Sequence, residues 1–263
     1  MKKKLFNTVL VVIFVCCIFG FYFYNRHKET IVIIGAMDEE ISEIRNNLHH
    51  SRTDQKLDYA VTTGTLGNNK IILAKSGVGK VASSATTQFL IDKYKPAYII
   101  NIGIAGSLST DIKPSDIVIG KNMVQHDFDV TAFGNPKGYI DNGIEPNKPT
   151  VFHSDKNLIK NFNKKVNYDK DTNVILGTIA TGDVFVNKET QKQKIRNEFG
   201  ADAIDMESAA IAQTAQKNNV PLIVIRTISD SENNSTSEYE KNKKTSSKKS
   251  ALIIQSILNN NYR

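Results

Sequence analysis

Three short apolar runs in this chain end on acid. IVIIGAM at 31–37 leads into Asp38, Glu39 and Glu40; ADAIDM at 201–206 leads into Glu207; PLIVIRTIS at 221–229 leads into Asp230. Continuous Val/Ile runs of strand length suit a sheet covered on both faces by helices. In open α/β sheets, ligands bind beyond the carboxyl ends of the strands. Acids delivered there from three distant stretches converge on one pocket. They suit acid–base work on a polar substrate that is uncharged or cationic.

Strand and helix patterns alternate along the rest of the chain. Strands are expected at 31–35, 59–65, 70–75, 97–103, 116–120, 174–179, 201–205 and 221–228. Helices are expected at 38–48, 79–94, 155–164, 189–199, 207–218 and about 241–259. The pair at 59–75 reads as a hairpin, so the sheet is expected to be mixed. The fold class is three-layer α/β/α around that sheet. Residues 133–150 are rich in Gly, Pro and Asn and read as a long loop. The polar stretch 231–240 directly follows Asp230 and reads as a mobile lid. No repeat or internal boundary interrupts 31–263, which is read as one domain.

Residues 1–30 are a different object. Lys2, Lys3 and Lys4 precede 5–24, a mostly apolar run with no charged residue and long enough to cross a bilayer. Phe21, Tyr22, Phe23 and Tyr24 form an aromatic edge. With no small-residue cleavage pattern, the segment reads as a signal-anchor, with cleavage or lipidation at Cys16 or Cys17 as the competing reading. The flanking lysines favour the cytoplasmic side and place the domain outside the cytoplasm, in the periplasm or on the cell surface. The chain's +7 charge is partly local to this end: past residue 30 there are 29 basic against 26 acidic residues. That balance gives no case for nucleic-acid binding. Both cysteines lie in the anchor, so the domain has neither a disulfide nor a zinc–cysteine site.

Other motifs carry weaker chemistry. Gly77-Val78-Gly79-Lys80 imitates nucleotide-binding turns, but Ala74 and Val81 stand where a Walker loop needs Gly and Ser/Thr. Tight strand-to-helix packing explains these glycines without a cofactor, although the helix N-terminus there suits a ligand oxygen or water. Asn101 to Gly106 (NIGIAG) offers backbone that a flat ligand can approach closely. His126-Asp127-Phe128-Asp129 and His49-His50 lack the three or four converging ligands of a metal site. Arg226, inside an apolar strand, reads as half of a structural ion pair. Lys241, Lys243, Lys244, Lys248 and Lys249 read as a solvated helix face, or as a surface for polyanions such as sulfated polysaccharides.

Five segments together resemble the 5′-methylthioadenosine/S-adenosylhomocysteine nucleosidases of the purine nucleoside phosphorylase superfamily. They are IGAMDEE at 34–40, HDFDVTAFG at 126–134, TGDVFV at 181–186, DMESA at 205–209 and RTISD at 226–230. The resemblance runs in order from about 31 to 257 and implies a nucleoside phosphorylase-like fold. It also implies hydrolysis of the N-glycosidic bond of methylthioadenosine or adenosylhomocysteine, with 5′-deoxyadenosine as a further candidate, without cofactor or metal. By resemblance, Asp230, supported by Ser229, protonates the imidazole-ring nitrogen of adenine and Glu40 activates water. Glu207 grips the ribose hydroxyls, Phe185 stacks on the base, the Val186 backbone bonds its edge and Met206 lies under the ribose. Met37 and Gly106 complete the implied pocket. The family pattern further implies a homodimer whose partner loop, here 134–150, closes the thioether end. Two departures stand out: Ile104 replaces a serine in the Gly-rich turn, and the lid is about one residue short, with Tyr239 matching its aromatic loosely. A phosphate-dependent phosphorylase and a surface polyanion-binding protein are the alternative readings.

Overall fold

The computed structural model describes residues 29–55, 60–141, 147–165, 172–232 and 236–259. The expected anchor at 5–24 lies outside them. Among the described residues no helix is long and apolar enough to cross a membrane.

Among the described residues ten strands form one mixed sheet. They are β1 (Thr30–Gly35), β2 (His49–Asp54), β3 (Val61–Leu66), β4 (Asn69–Lys75), β5 (Tyr98–Ser107), β6 (Ile117–Gln125), β7 (Phe152–His153), β8 (Val174–Thr181), β9 (Ala203–Asp205) and β10 (Leu222–Asp230). The helices are α1 (Asp38–Asn46), α2 (Lys80–Tyr94), α3 (Lys156–Lys165), α4 (Glu189–Phe199), α5 (Ser208–Lys217) and α6 (Thr236–Asn259). The order runs β10-β6-β8-β9-β5-β1-β4-β3-β2, and β10 also pairs with β5. Five strands therefore close into a ring, and β1, β4, β3 and β2 continue outward as an open wing.

Strand β1 shows why the layers form. Ile31, Val32, Ile33 and Ile34 are all fully buried, although a strand sends alternate side chains to opposite faces. Ile31 and Ile33 pack in a cluster with Ile41 and Ile44 of α1 and Ile254 of α6. Val32 and Ile34 pack in a second cluster with Leu90 and Ile91 of α2 and Ile211 of α5. Each such side chain contributes about 1.5–3 kcal/mol by burial, so a charge on either face of β1 would breach a layer.

Several boundaries differ from the sequence expectations. Strands β5, β6, β8 and β10 run past their expected ends to Ser107, Gln125, Thr181 and Asp230. The site motifs are thus partly inside the sheet. Asp230 pairs with Gly106 beyond a register shift that follows Ile228. The polar edge strand β2, with its exposed HHSRT stretch, gave no apolar signal. Helix α6 starts at Thr236 rather than about 241, so part of the expected lid is its first turn. A short 3₁₀ turn, Thr131–Phe133, leads into the expected loop 133–150, within which Thr150 Oγ1 ties back to the Ile140 carbonyl at 2.7 Å. Residues 142–146 of that loop lie outside the described part.

Candidate active site

Glu40 sits in the first turn of α1, where the helix dipole favours acids. Its side chain folds back instead of pointing to solvent. Oε2 accepts the Ala36 and Met37 amides at 2.6 and 3.0 Å, and Oε1 accepts the Ile104 amide at 3.0 Å. This crossing from α1 to β5 needs Gly103, because a Cβ there would lie 2.5 Å from Oε1. Burial pushes the Glu40 carboxyl above its ordinary range, against the pull of Arg226 and the three amides. A raised carboxylate at 3% exposure suits a general base.

Asp230 ends β10 and is also buried. Ser229 Oγ donates to its Oδ1 at 2.7 Å and Lys192 Nζ to its Oδ2 at 2.8 Å. Gly106 gives the room: a Cβ there would stand 2.9 Å from Oδ2. Strand β5 thus anchors Glu40 at Ile104 and approaches Asp230 at Gly106. Two residues of strand separate these points by about 7 Å.

Glu207 stands at the N-terminus of α5 and accepts the Gly79 amide at 3.0 Å. Gly79 has φ +99°, a left-handed conformation that glycine tolerates best. The next amide, of Lys80, donates to Asp183 Oδ1 at 2.7 Å. The N-terminus of α2, which imitated a nucleotide turn in sequence, is therefore answered by the protein's own carboxylates. Burial, reinforced by neighbouring Asp205, pushes Glu207 up to about 8.

Arg226 bears out the ion-pair expectation. Its Nε donates to Asp205 Oδ2 at 2.8 Å and its Nη2 to Asn101 Oδ1 at 2.8 Å, while Glu207 Oε2 is 4.0 Å away. Asp205 also accepts Thr181 Oγ1 at 2.6 Å and is bonded by the Ser208 hydroxyl. The pair ties the middle of β10 to Asn101 in β5 and to the ends of β8 and β9.

Met37, Glu40, Ile104, Gly106, Phe185, Met206, Glu207, Ser229, Asp230 and Tyr239 all line one cavity of about 90 Å³. Met37, Phe185 and Met206 supply its apolar surface. Val186, whose backbone the resemblance assigns to the base edge, has its side chain buried with Ile195 and with Ile204, which itself lines the cavity. The Tyr239 ring meets Phe185 edge-on at 5.2 Å, and its hydroxyl reaches Met37 Sδ at 3.6 Å. Both rings line the cavity. A larger cavity of about 870 Å³ is walled by Glu29, Asn69, Tyr98 and Pro221, at the amino ends of the strands. It is remote from the converging acids, and the smaller cavity is the one whose lining can do chemistry.

The comparisons agree with this geometry. A family profile described as "Phosphorylase superfamily" matches residues 30–259. The 5′-methylthioadenosine/S-adenosylhomocysteine nucleosidase of Buchnera aphidicola is 37% identical over 230 residues, covering 87% of this chain and 95% of that one. The chain belongs to the methylthioadenosine/S-adenosylhomocysteine nucleosidases of the phosphorylase superfamily. The crystal structure of the Neisseria meningitidis nucleosidase with methylthio-immucillin-A superposes with TM-score 0.81 at 32% identity, covering 88% of this chain and 99% of that one. Futalosine hydrolase of Helicobacter pylori superposes with TM-score 0.80 at 31% identity, covering 87% and 97%.

Sequence reasoning about this nucleosidase missed Lys192 and gave Asp205 no role. Lys192 carries a faint signal, lying three residues before Ile195 and seven before Phe199 on the inward stripe of α4. Of the polyanion candidates, Lys243 meets Glu240 at 3.1 Å, Lys248 meets Glu43 at 3.8 Å and Lys249 bonds Thr172 at 2.6 Å. His49 and His50 are exposed on β2, whereas His126 is buried beside the Asp127–Lys80 ion pair of 2.6 Å.

Proposed function

We propose that this protein hydrolyses the N-glycosidic bond of 5′-methylthioadenosine, S-adenosylhomocysteine or a similar 5′-modified adenosine, releasing adenine and the sugar. The observation that carries this reading is the convergence of Glu40, Glu207 and Asp230 on one cavity lined by Phe185 and Met206. Asp230 protonates the purine, so that the base departs as a neutral molecule. Glu40 takes the proton of the attacking water from the other side of the sugar. Glu207 hydrogen-bonds the ribose hydroxyls. Phe185 stacks on the base and Tyr239 closes over it.

Hydrolysis is favoured over phosphorolysis by charge. The amides of Gly79 and Lys80 already face Glu207 and Asp183, and Arg226 is spent on Asp205. A phosphate dianion would meet acids here. Adenine release from methylthioadenosine, measured with and without phosphate, tests the reading. Release that requires phosphate would replace it with phosphorolysis, and no release would remove it.

Assembly and place extend the proposal. Val78, Val81 and Val184 are each more than half exposed, on segments stitched together by the Lys80–Asp183 hydrogen bond beside the cavity. A second copy of this chain covers them, and sedimentation should show a dimer. Residues 5–24 hold the domain to a membrane on its extracytoplasmic side. Protease applied to intact cells or to spheroplasts should therefore remove it, and protection until the inner membrane is broken would overturn that placement.

A further inference from the structure

Lys192 has no task in the mechanism above. It lies near the start of α4 with its side chain fully buried, Nζ 2.8 Å from Asp230 Oδ2 and 2.8 Å from the Ser231 carbonyl. Ser229 Oγ has one hydrogen and two acceptors in reach, and gives it to the other Asp230 oxygen at 2.7 Å in preference to the Ala105 carbonyl at 3.3 Å. Two donors, one on each oxygen, are the partners of a carboxylate anion, whereas a carboxylic acid must itself donate from one oxygen. An anion cannot protonate a departing purine. The proton has to come from somewhere, and the Lys192 ammonium already shares one of its hydrogens with Asp230 Oδ2.

We propose that Lys192 is a positioning residue that stores the proton Asp230 delivers, an inference that rests on the hydrolytic reading of the site. A purine closing over Asp230 shuts out water, and a buried ion pair is held against a large desolvation penalty. The proton passes from Lys192 Nζ to Asp230 Oδ2 along the existing hydrogen bond, leaving an amine and a carboxylic acid. As the bond from C1′ to the purine nitrogen breaks, its electron pair moves into the base. Asp230 then gives its proton to the imidazole ring. The oxygen of water bonds C1′ and its proton goes to Glu40. After product release Glu40 returns a proton to solvent and the Lys192 amine takes one up, so each cycle consumes one water and no net proton. Arginine cannot serve in this way, because a guanidinium does not give up its proton in a protein.

The test compares Lys192→Met and Lys192→Arg with wild type on two substrates. One is methylthioadenosine; the other is the 4-nitrophenyl glycoside of 5-methylthioribose, whose nitrophenolate leaves without a proton. Both variants are expected to lose roughly 100-fold or more in kcat on methylthioadenosine, the scale of general acid catalysis, with KM changed little. Turnover of the nitrophenyl glycoside should stay near the wild-type rate. Should the Met variant fail to fold, the Arg variant keeps the charge beside Asp230 and carries the test alone. Wild-type kcat in Lys192→Arg, or equal losses on both substrates, would overturn the proposal. Adenine release by the wild type is measured first; its absence would strike the hydrolytic reading, not Lys192.

Discussion

Glu207 Oε1 accepts the Gly79 amide at 3.0 Å although 128 residues separate them in sequence. The glycine turn that looks like a cofactor cradle is thus the partner of a catalytic-site acid. This contact opposes the rise of Glu207, but burial and Asp205 outweigh it and the group stands at about 8.

The sign of the resulting pH dependence follows from that rise. Folded Glu207 holds its proton more tightly than the unfolded chain, whose ordinary value is 4.5. Its contribution is complete below that value and is lost as pH climbs through about 8. Glu207→Gln has no such titration, so between pH 5 and 9 the wild type should lose several degrees more in Tm than the variant, on the order expected for a few kcal/mol. Parallel melting curves would refute it.

The same variant should lose both affinity and rate on methylthioadenosine. Its 2′-deoxy analogue lacks one hydroxyl to be gripped and should be hurt much less by the change. Equal losses on the two substrates would remove the hydroxyl contact from the mechanism.

Asp230→Asn should lower kcat by roughly 10²–10⁴-fold, because an amide cannot take over general acid catalysis. The change also destabilises the fold. The fully buried Lys192 ammonium loses its counter-ion, and stranding a buried charge costs about 3–5 kcal/mol. Thermal melting should show the loss, and adding Lys192→Met should recover most of it without recovering turnover.

Glu40→Gln should stop hydrolysis to a similar degree while changing KM little. Gln keeps one acceptor oxygen where Glu40 presents two to three backbone amides. At least one amide is stranded, at about 1–3 kcal/mol. Unchanged turnover would take the role of base away from Glu40.

Gly103→Ala tests the geometry without touching an acid. The new methyl would fall 2.5 Å from Glu40 Oε1 and 3.0 Å from Arg226 Nη1. Displacing the base by about 1 Å is expected to cost on the order of 100-fold in kcat. Wild-type kinetics would mean that Glu40 need not sit where β5 holds it.

The sheet and its helices were legible because burial on both faces writes itself as Val/Ile runs, as in 31–34 and 222–225. The acids were legible because each follows such a run. Lys192 was not, since α4 reads ETQKQKIRNEF and a lysine in so polar a helix looks solvated. What buries it is its reach across to Asp230 and the Ser231 carbonyl at the end of β10, a tertiary fact with no local signature. Asp205 was quoted in a motif yet given no role, because nothing local says that Arg226, 21 residues on, will be its partner. Strand β2 is an edge whose side chains are largely in water, so it carries no apolar alternation to detect.

The closure of β5, β9, β8, β6 and β10 into a ring has a consequence for how the chain behaves in crowded solution. A strand flanked on both sides has no free amides to offer another molecule, so the segments that carry the acids are shielded from strand-to-strand aggregation. Along the main path of the sheet the wing ends on β2, whose sequence is His49-His50-Ser51-Arg52-Thr53-Asp54. Charged and hydrated side chains are what discourage a foreign strand from docking on such an edge. Replacing that stretch with Val and Ile would leave the catalytic groups untouched and still turn the protein into a seed for fibrous self-association.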